Sequence, residues 1–204
     1  MFQLSAEHIF KSFSFRKVLR DINVALADGD CLVVTGRNGS GKSTLLKILS
    51  GLLTPDSGKV SFELDGNRLN RENRKRYIGL VSPEVMLYDE LTALENLRFL
   101  SLISGSDITR EELVELIRKT GLDKRENDLV GSYSTGMKQR IKLAFAWLGQ
   151  PKLLILDEPN SNLDEDGQKM MKEVIGQQKK IGVVVLATNQ LDQIEYGNKT
   201  LSLD

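Results

Sequence analysis

Eight consecutive residues, Gly36-Arg37-Asn38-Gly39-Ser40-Gly41-Lys42-Ser43, narrow the possible fold more than anything else in the chain. Their spacing is G-x-x-x-x-G-K-[ST], which works only where a strand runs into a loop and the loop opens a helix. Both neighbours are present: the apolar run Cys31–Thr35 precedes the loop, and the helical run Leu45–Leu49 follows it. Glycines let such a loop curl until its N–H groups face inward, and the helix N-terminus adds partial positive charge. Phosphate oxygens are the natural occupant of that arrangement. Gly36, Arg37, Asn38, Gly39, Ser40, Gly41, Lys42, Ser43 and the following Thr44 therefore form the candidate phosphate cradle. Lys42 is placed for the β- and γ-phosphates of a nucleoside triphosphate, and the Ser43 hydroxyl for Mg²⁺. A glycine-rich turn without chemistry is the plain alternative, and the strand-before, helix-after context argues against it.

The rest of the chain predicts an α/β body around that loop. Leu153–Asp157 and Val183–Thr188 are nearly continuous apolar runs, the pattern of strands buried on both faces of a parallel sheet. Earlier strands are expected at Val18–Leu26, before the turn Asp28-Gly29-Asp30, and at Lys59–Leu64, bracketed by Ser57-Gly58 and Asp65-Gly66. From about Glu84 to Leu148 the periodicity is helical, and Thr92 with Glu95 and Thr109 with Glu112 have capping-box spacing. That stretch reads as a helical subdomain inserted between strands of one domain spanning 1–204. At 204 residues the chain is long enough to bury a substantial core. Lys plus Arg and Asp plus Glu both total 28, so net charge gives no sign of a nucleic-acid partner. No apolar run approaches the roughly 18–20 residues that span a bilayer, and Met1–Phe10 lacks a signal core. A cytosolic location is expected, with any membrane part supplied by another polypeptide. The single cysteine, Cys31, cannot form an internal disulfide.

Two further segments carry chemistry. Leu153–Asp157 ends in Asp157-Glu158-Pro159 at a strand's carboxyl end, where ligands of open α/β sheets bind. Asp157 is placed to hold Mg²⁺, and Glu158 to polarise an attacking water. Ser134-Thr135-Gly136-Met137-Lys138-Gln139-Arg140 precedes the helical face Ile141, Ala144, Phe145 and Leu148, and reads as a second anion-binding helix start. With these motifs in order, the chain resembles the ABC ATPase family over essentially its whole length. Tyr133–Arg140 looks like that family's signature motif, Leu153–Glu158 like its Walker B strand and Ser161-Asn162-Leu163-Asp164 like its D-loop. The resemblance implies a P-loop core with a mostly parallel sheet, an antiparallel β part and an inserted helical subdomain. It implies ATP and Mg²⁺ as ligands, and a head-to-tail dimer with the same chain or another ATPase subunit. In that dimer ATP lies between Gly36–Thr44 of one chain and Ser134, Thr135, Gly136 and Met137 of the other, with Asp164 communicating across the interface. It also implies that Phe13 stacks on adenine, with Phe10 or Phe15 as substitutes.

Two positions depart from the family. After Ile78–Val81 a glutamine is usual; here Ser82-Pro83-Glu84 stands, so Glu84 or Ser82 would have to read the metal. After Val183–Ala187 a switch histidine is usual, and Asn189 replaces it. Asparagine donates hydrogen bonds but carries no proton or positive charge. Catalysis would then rest on Glu158, Lys42 and Asn189. Asn189-Gln190-Leu191-Asp192 also loosely matches a guanine-reading N-K-x-D, but Gln190 replaces the lysine and a GTPase leaves Ser134–Arg140 unused. A soluble ABC ATPase of translation or repair, and a regulator that binds nucleotide without turnover, are two rival functions. The family implies a subunit at the inner face of the cell membrane that drives a separate transmembrane permease. The short chain is similar to heme-exporter and ABC-2-type exporter ATPases.

Overall fold

The computed structural model describes residues 1–105, 108–160 and 163–203. The first half opens with β1 (Phe2–Phe13), β2 (Arg16–Ala27) and β3 (Cys31–Thr35), then α1 (Lys42–Ser50), β4 (Ser57–Leu64), β5 (Asn67–Arg68), the single turn α2 (Arg71–Arg74) and β6 (Ile78–Val81). Helices α3 (Ala93–Ser104), α4 (Arg110–Lys119) and α5 (Thr135–Ala146) follow. The chain then alternates through β7 (Leu153–Asp157), α6 (Glu165–Gln178), β8 (Val183–Ala187) and β9 (Lys199–Ser202).

The strands sort into two sheets by their residue patterns. In β7 and β8 every residue is buried, as their unbroken apolar runs require, and they lie inside a five-stranded sheet of order β6-β7-β8-β3-β9. Each neighbouring pair in it is parallel. By contrast β1 buries Phe2, Leu4 and Ala6 while exposing Gln3 and Glu7, the alternation of a sheet wet on one side. It joins an antiparallel sheet of order β2-β1-β4-β5. Phe2, Leu4 and Phe62 of that sheet share one core with α1 and with Ile155 and Val185 of the parallel sheet. The opposite face of the parallel sheet buries Met171, Val174 and Ile175 of α6. Cys31 lies in that second core, where burial pushes its thiol up to about 11, outside the reactive range.

Between β6 and β7 the polypeptide builds a third core of its own from Leu94, Leu97, Leu113, Ile117, Tyr133 and Ile141. Both expected capping boxes form there. Thr92 Oγ1 accepts from the Glu95 N–H at 3.1 Å while the Glu95 carboxylate accepts from the Thr92 N–H at 2.8 Å. Thr109 and Glu112 repeat the exchange. The expected strands at Cys31–Thr35 and Leu153–Asp157 match β3 and β7 residue for residue, whereas Val183–Thr188 stops one residue earlier. Strands β1, β5, β6 and β9 have no counterpart among the expected ones. In β1 the pairing with β2 shifts register between Ala6 and Ile9, with His8 at positive φ, so its two-residue period is interrupted.

The helical part is packed closely against the sheet at one glycine. A Cβ on Gly79 of β6 would lie 1.8 Å from the Ala146 carbonyl oxygen at the end of α5. The obstacle is backbone, so it cannot rotate away. Gly79→Ala is expected to cost about 3 kcal/mol, the upper range for overpacking, read as a lower urea midpoint at unchanged m-value.

Candidate functional site

The loop between β3 and α1 has the shape its sequence demands. Gly41 caps α1 at φ 110°, with no side-chain hydrogen bond closing the helix start, so the first N–H groups of α1 remain available. A Cβ at Gly41 would also meet Val18 Cγ1 at 2.7 Å, which ties the loop's shape to β2. Lys42 is only 5% exposed. Its Nζ donates to the Gly36 carbonyl at 2.8 Å and the Arg37 carbonyl at 3.3 Å, and stands 3.7 Å from Glu158 Oε1. The buried Ser40 Oγ has no partner.

Two carboxylates face that lysine from the end of β7. Asp157 is 5% exposed, and its Oδ1 is buried without a hydrogen-bond partner. Burial raises its carboxyl above the usual range, opposed by the Ser43 hydroxyl and by Lys42, and reinforced by the neighbouring charge of Glu158. Glu158 holds a positive φ of 48°, unfavourable by roughly 1 kcal/mol for a residue with a Cβ, while its N–H donates to the Ala187 carbonyl at 3.0 Å. An unsatisfied buried carboxylate oxygen beside a serine hydroxyl is the donor set a hard divalent cation takes, so Ser43 and Asp157 fit Mg²⁺.

From the next strand, Thr188 donates its N–H to the Val34 carbonyl at 3.0 Å, and Asn189 Nδ2 lies 3.4 Å from Asn38 Oδ1. Asn189, just beyond β8, thus touches the loop between β3 and α1. On the other side β1 and β2 meet in a hairpin in which Phe13 pairs with Arg16. Phe13 is half exposed, and Lys11 Nζ stands over its ring at 5.5 Å. Together Phe13, Asn38, Gly39, Gly41, Lys42, Ser43, Thr44, Asp157 and Glu158 line one cleft of about 510 Å³. Of the three candidate aromatics, Phe13 lines the cleft, and Phe10 and Phe15 do not. Gly36, Arg37 and Ser40 support the loop without lining it. Arg16 and Val18 also line it without any sequence motif having marked them, and so does Pro83 of the departing stretch Ser82-Pro83-Glu84.

Ser134 does what its motif predicts locally: it caps α5, its Oγ accepting from the Met137 N–H at 3.2 Å. Ser134, Thr135, Gly136 and Met137 nevertheless do not line the cleft. Helix α5 is instead strapped to the neighbours of the carboxylates. Gln139 Nε2 donates to the Pro159 carbonyl at 3.2 Å, and Arg140 pairs with Asp164, which caps α6 by accepting from the Gly167 N–H at 2.9 Å. Ser161 and Asn162 of the expected D-loop lie outside the described residues. Glu84 does not line the cleft either; its carboxylate pairs with Lys47 of α1 at 2.6 Å, while Ser82 is buried.

Residues 19–161 match the family model described as ABC transporter. The chain belongs to that family. Among ABC transporter relatives, it is 33% identical over 194 residues to the lantibiotic transport ATP-binding protein SrtF of Streptococcus pyogenes, covering 95% of this chain and 82% of the relative. It is 31% identical to the cytochrome c biogenesis ATP-binding export protein CcmA of Photobacterium profundum, covering 96% and 95% of the two chains. The solved ATP-binding subunit of an ABC transporter superposes with a TM-score of 0.84 at 29% identity, covering 98% of this chain and 85% of that one. A dimeric ATP-binding cassette in a post-hydrolysis state, bound to ADP and Pi, superposes equally well at 24% identity, covering 98% and 94%. Membership of the ABC family leaves the GTPase alternative without support.

The buried carboxylate of Asp157 supplies a test. Because Asp157 is raised in the fold, its ionisation opposes folding as pH climbs past its unfolded value and through its folded one. Asp157→Asn should therefore raise the Tm of the metal- and nucleotide-free ABC chain at about pH 8, by roughly 2–4 °C for each kcal/mol relieved. That gain should fade as pH falls through and below the ordinary aspartate value of about 3.9, where the carboxyl becomes protonated in both states.

Proposed function

We propose that this chain is the ATP-binding and ATP-hydrolysing subunit of an ABC transporter, formed by one ATPase domain over 1–204 with its helical subdomain at about 84–148. One observation carries the reading. The phosphate loop, the paired carboxylates and an aromatic side chain line a single cleft, while the second anion-binding helix start is elsewhere on the same chain. A complete site then needs a second copy, or another ATPase subunit, arranged head to tail.

In this reading Phe13 stacks on adenine, and the N–H groups of Gly36–Thr44 hold the phosphates. Lys42 exchanges the Gly36 and Arg37 carbonyls for β- and γ-phosphate oxygens. Ser43 and Asp157 hold Mg²⁺, which supplies neutralisation of charge on the phosphate oxygens. Glu158, held near Lys42 by its left-handed backbone, orients a water and accepts its proton as that water attacks the γ-phosphorus. The bond from the γ-phosphorus to the bridging oxygen breaks, leaving ADP and inorganic phosphate. Asn189 donates to the γ-phosphate but takes no proton. The second copy contributes Ser134, Thr135, Gly136 and Met137, and Asp164 passes the state of one site to α5. Glu84 joins the metal set only by releasing Lys47.

No helix among the described residues is long and apolar enough to cross a membrane. Because its relatives are named as ATP-binding proteins of transport systems, the permease is assigned to a separate transmembrane chain at whose cytoplasmic face this subunit works. No role in nucleic-acid binding is assigned.

Glu158→Gln should retain ATP binding, lower hydrolysis by about 100-fold or more, and accumulate an ATP-dependent dimer in size-exclusion chromatography. Adding Ser134→Arg should return that variant to monomer; a dimer that survives both changes overturns the head-to-tail arrangement. Asn189→His is expected to raise the ATPase rate at saturating ATP. An unchanged rate would show that the asparagine does not limit turnover.

A further inference from the structure

The cleft has an electrostatic problem that the motifs do not solve. Its lining carries two carboxylates, Asp157 and Glu158, against two cations, Lys42 and Arg16. Lys42 already stands 3.7 Å from Glu158, so part of its charge is committed. Without Arg16 the lining's own side chains would carry net negative charge, offset only where Mg²⁺ would sit beside Ser43 and Asp157 and where α1 begins.

Arg16 is also the cation whose geometry suits the task. It is the cross-strand partner of Phe13 through the turn Ser14-Phe15, and directly opposed residues of an antiparallel pair project from the same face. Aromatic ring and guanidinium therefore enter the cleft side by side, and both line it. The Arg16 Nη2 reaches the Gly39 carbonyl at 3.5 Å, a loose contact that leaves the remaining donors unused. Among the described residues no carboxylate pairs with it. The nearby cations fail these criteria. Lys11 is held by Asp56 and the Thr54 carbonyl, Lys47 by Glu84, and Lys17 does not line the cleft.

Resting on the ATP reading above, we propose that Arg16 is a nucleotide-binding residue. It spans from the aromatic platform to the crest of the phosphate loop and donates to the α/β-diphosphate portion shared by ATP and ADP. A guanidinium fork matches phosphate oxygens in pairs, and its fixed charge offsets one of the two carboxylates. Because both nucleotides carry this portion, Arg16 sets how firmly the cleft grips the polyphosphate and not which of the two it prefers.

The test is calorimetric titration of ATP and of ADP into the full chain and its Arg16→Ala, Arg16→Met, Arg16→Lys and Lys17→Ala variants, with thermal unfolding as a fold control. Arg16→Ala and Arg16→Met should weaken both nucleotides alike, by about 10- to 100-fold, the range of a charged hydrogen bond. Arg16→Lys should recover most of the loss, Lys17→Ala should match the unaltered chain, and higher salt should narrow the gap. The proposal is overturned if Arg16→Ala stays within twofold, if Met restores binding as well as Lys, or if ATP alone is affected. Failure of the unaltered chain to bind ATP would instead sink the underlying ATPase reading.

Discussion

The loop between β3 and α1 leaves the first N–H groups of α1 without intrahelical partners, and elements from across the fold hold it in that state. Three supports hold it. The parallel sheet fixes where the loop departs, with β3 flanked by β8 and β9. The antiparallel sheet presses Val18 and Leu19 against Gly41, leaving no room for a side chain there. The buried Lys42 amine then gathers the Gly36 and Arg37 carbonyls, fixing the turn of the loop from inside. Each support comes from a different part of the chain, and the cleft exists only where they meet.

The carboxylates at the end of β7 show the cost of that arrangement. Asp157 carries a buried oxygen with no partner, and Glu158 sits in a left-handed backbone conformation that a residue with a Cβ adopts at a penalty. Both features lower the stability of the nucleotide-free chain, and both place charge where a metal and a polarised water are needed. Local strain concentrated next to a phosphate loop, with well-packed strands on either side, is the pattern expected of a site shaped for chemistry.

Much of this was legible in the residues alone. Strands β3 and β7 could be read because they are buried on both faces and carry unbroken apolar runs. Helices α3 and α4 could be read because Thr92 with Glu95 and Thr109 with Glu112 form their capping boxes as the spacing requires. What escaped was whatever depended on long-range pairing. β1 was hidden by its bulge at His8, and β9 mixes exposed polar residues with a single half-buried leucine. Arg16 was invisible for the same reason, since nothing marks an arginine as facing a nucleotide until the hairpin shows it opposite Phe13. Glu84 illustrates the reverse. Its position after β6 suggested a metal ligand, and its carboxylate is engaged by Lys47, a partner no local pattern could have named.

Helix α5 grips the body through four nearly consecutive side chains that radiate to two sides. Lys138 and Lys142 reach Asp89 and the Pro83 carbonyl, in the segment leading to α3, while Gln139 and Arg140 reach Pro159 and Asp164, just beyond the β7 carboxylates. Its final turn abuts Gly79 with no spare space. A rod pinned this way cannot slide or roll by a fraction of its pitch without disturbing both sets of moorings together. Ser134 caps the start of that rod, so a displacement of the cap would load the Asp89 side and the Pro159 side together.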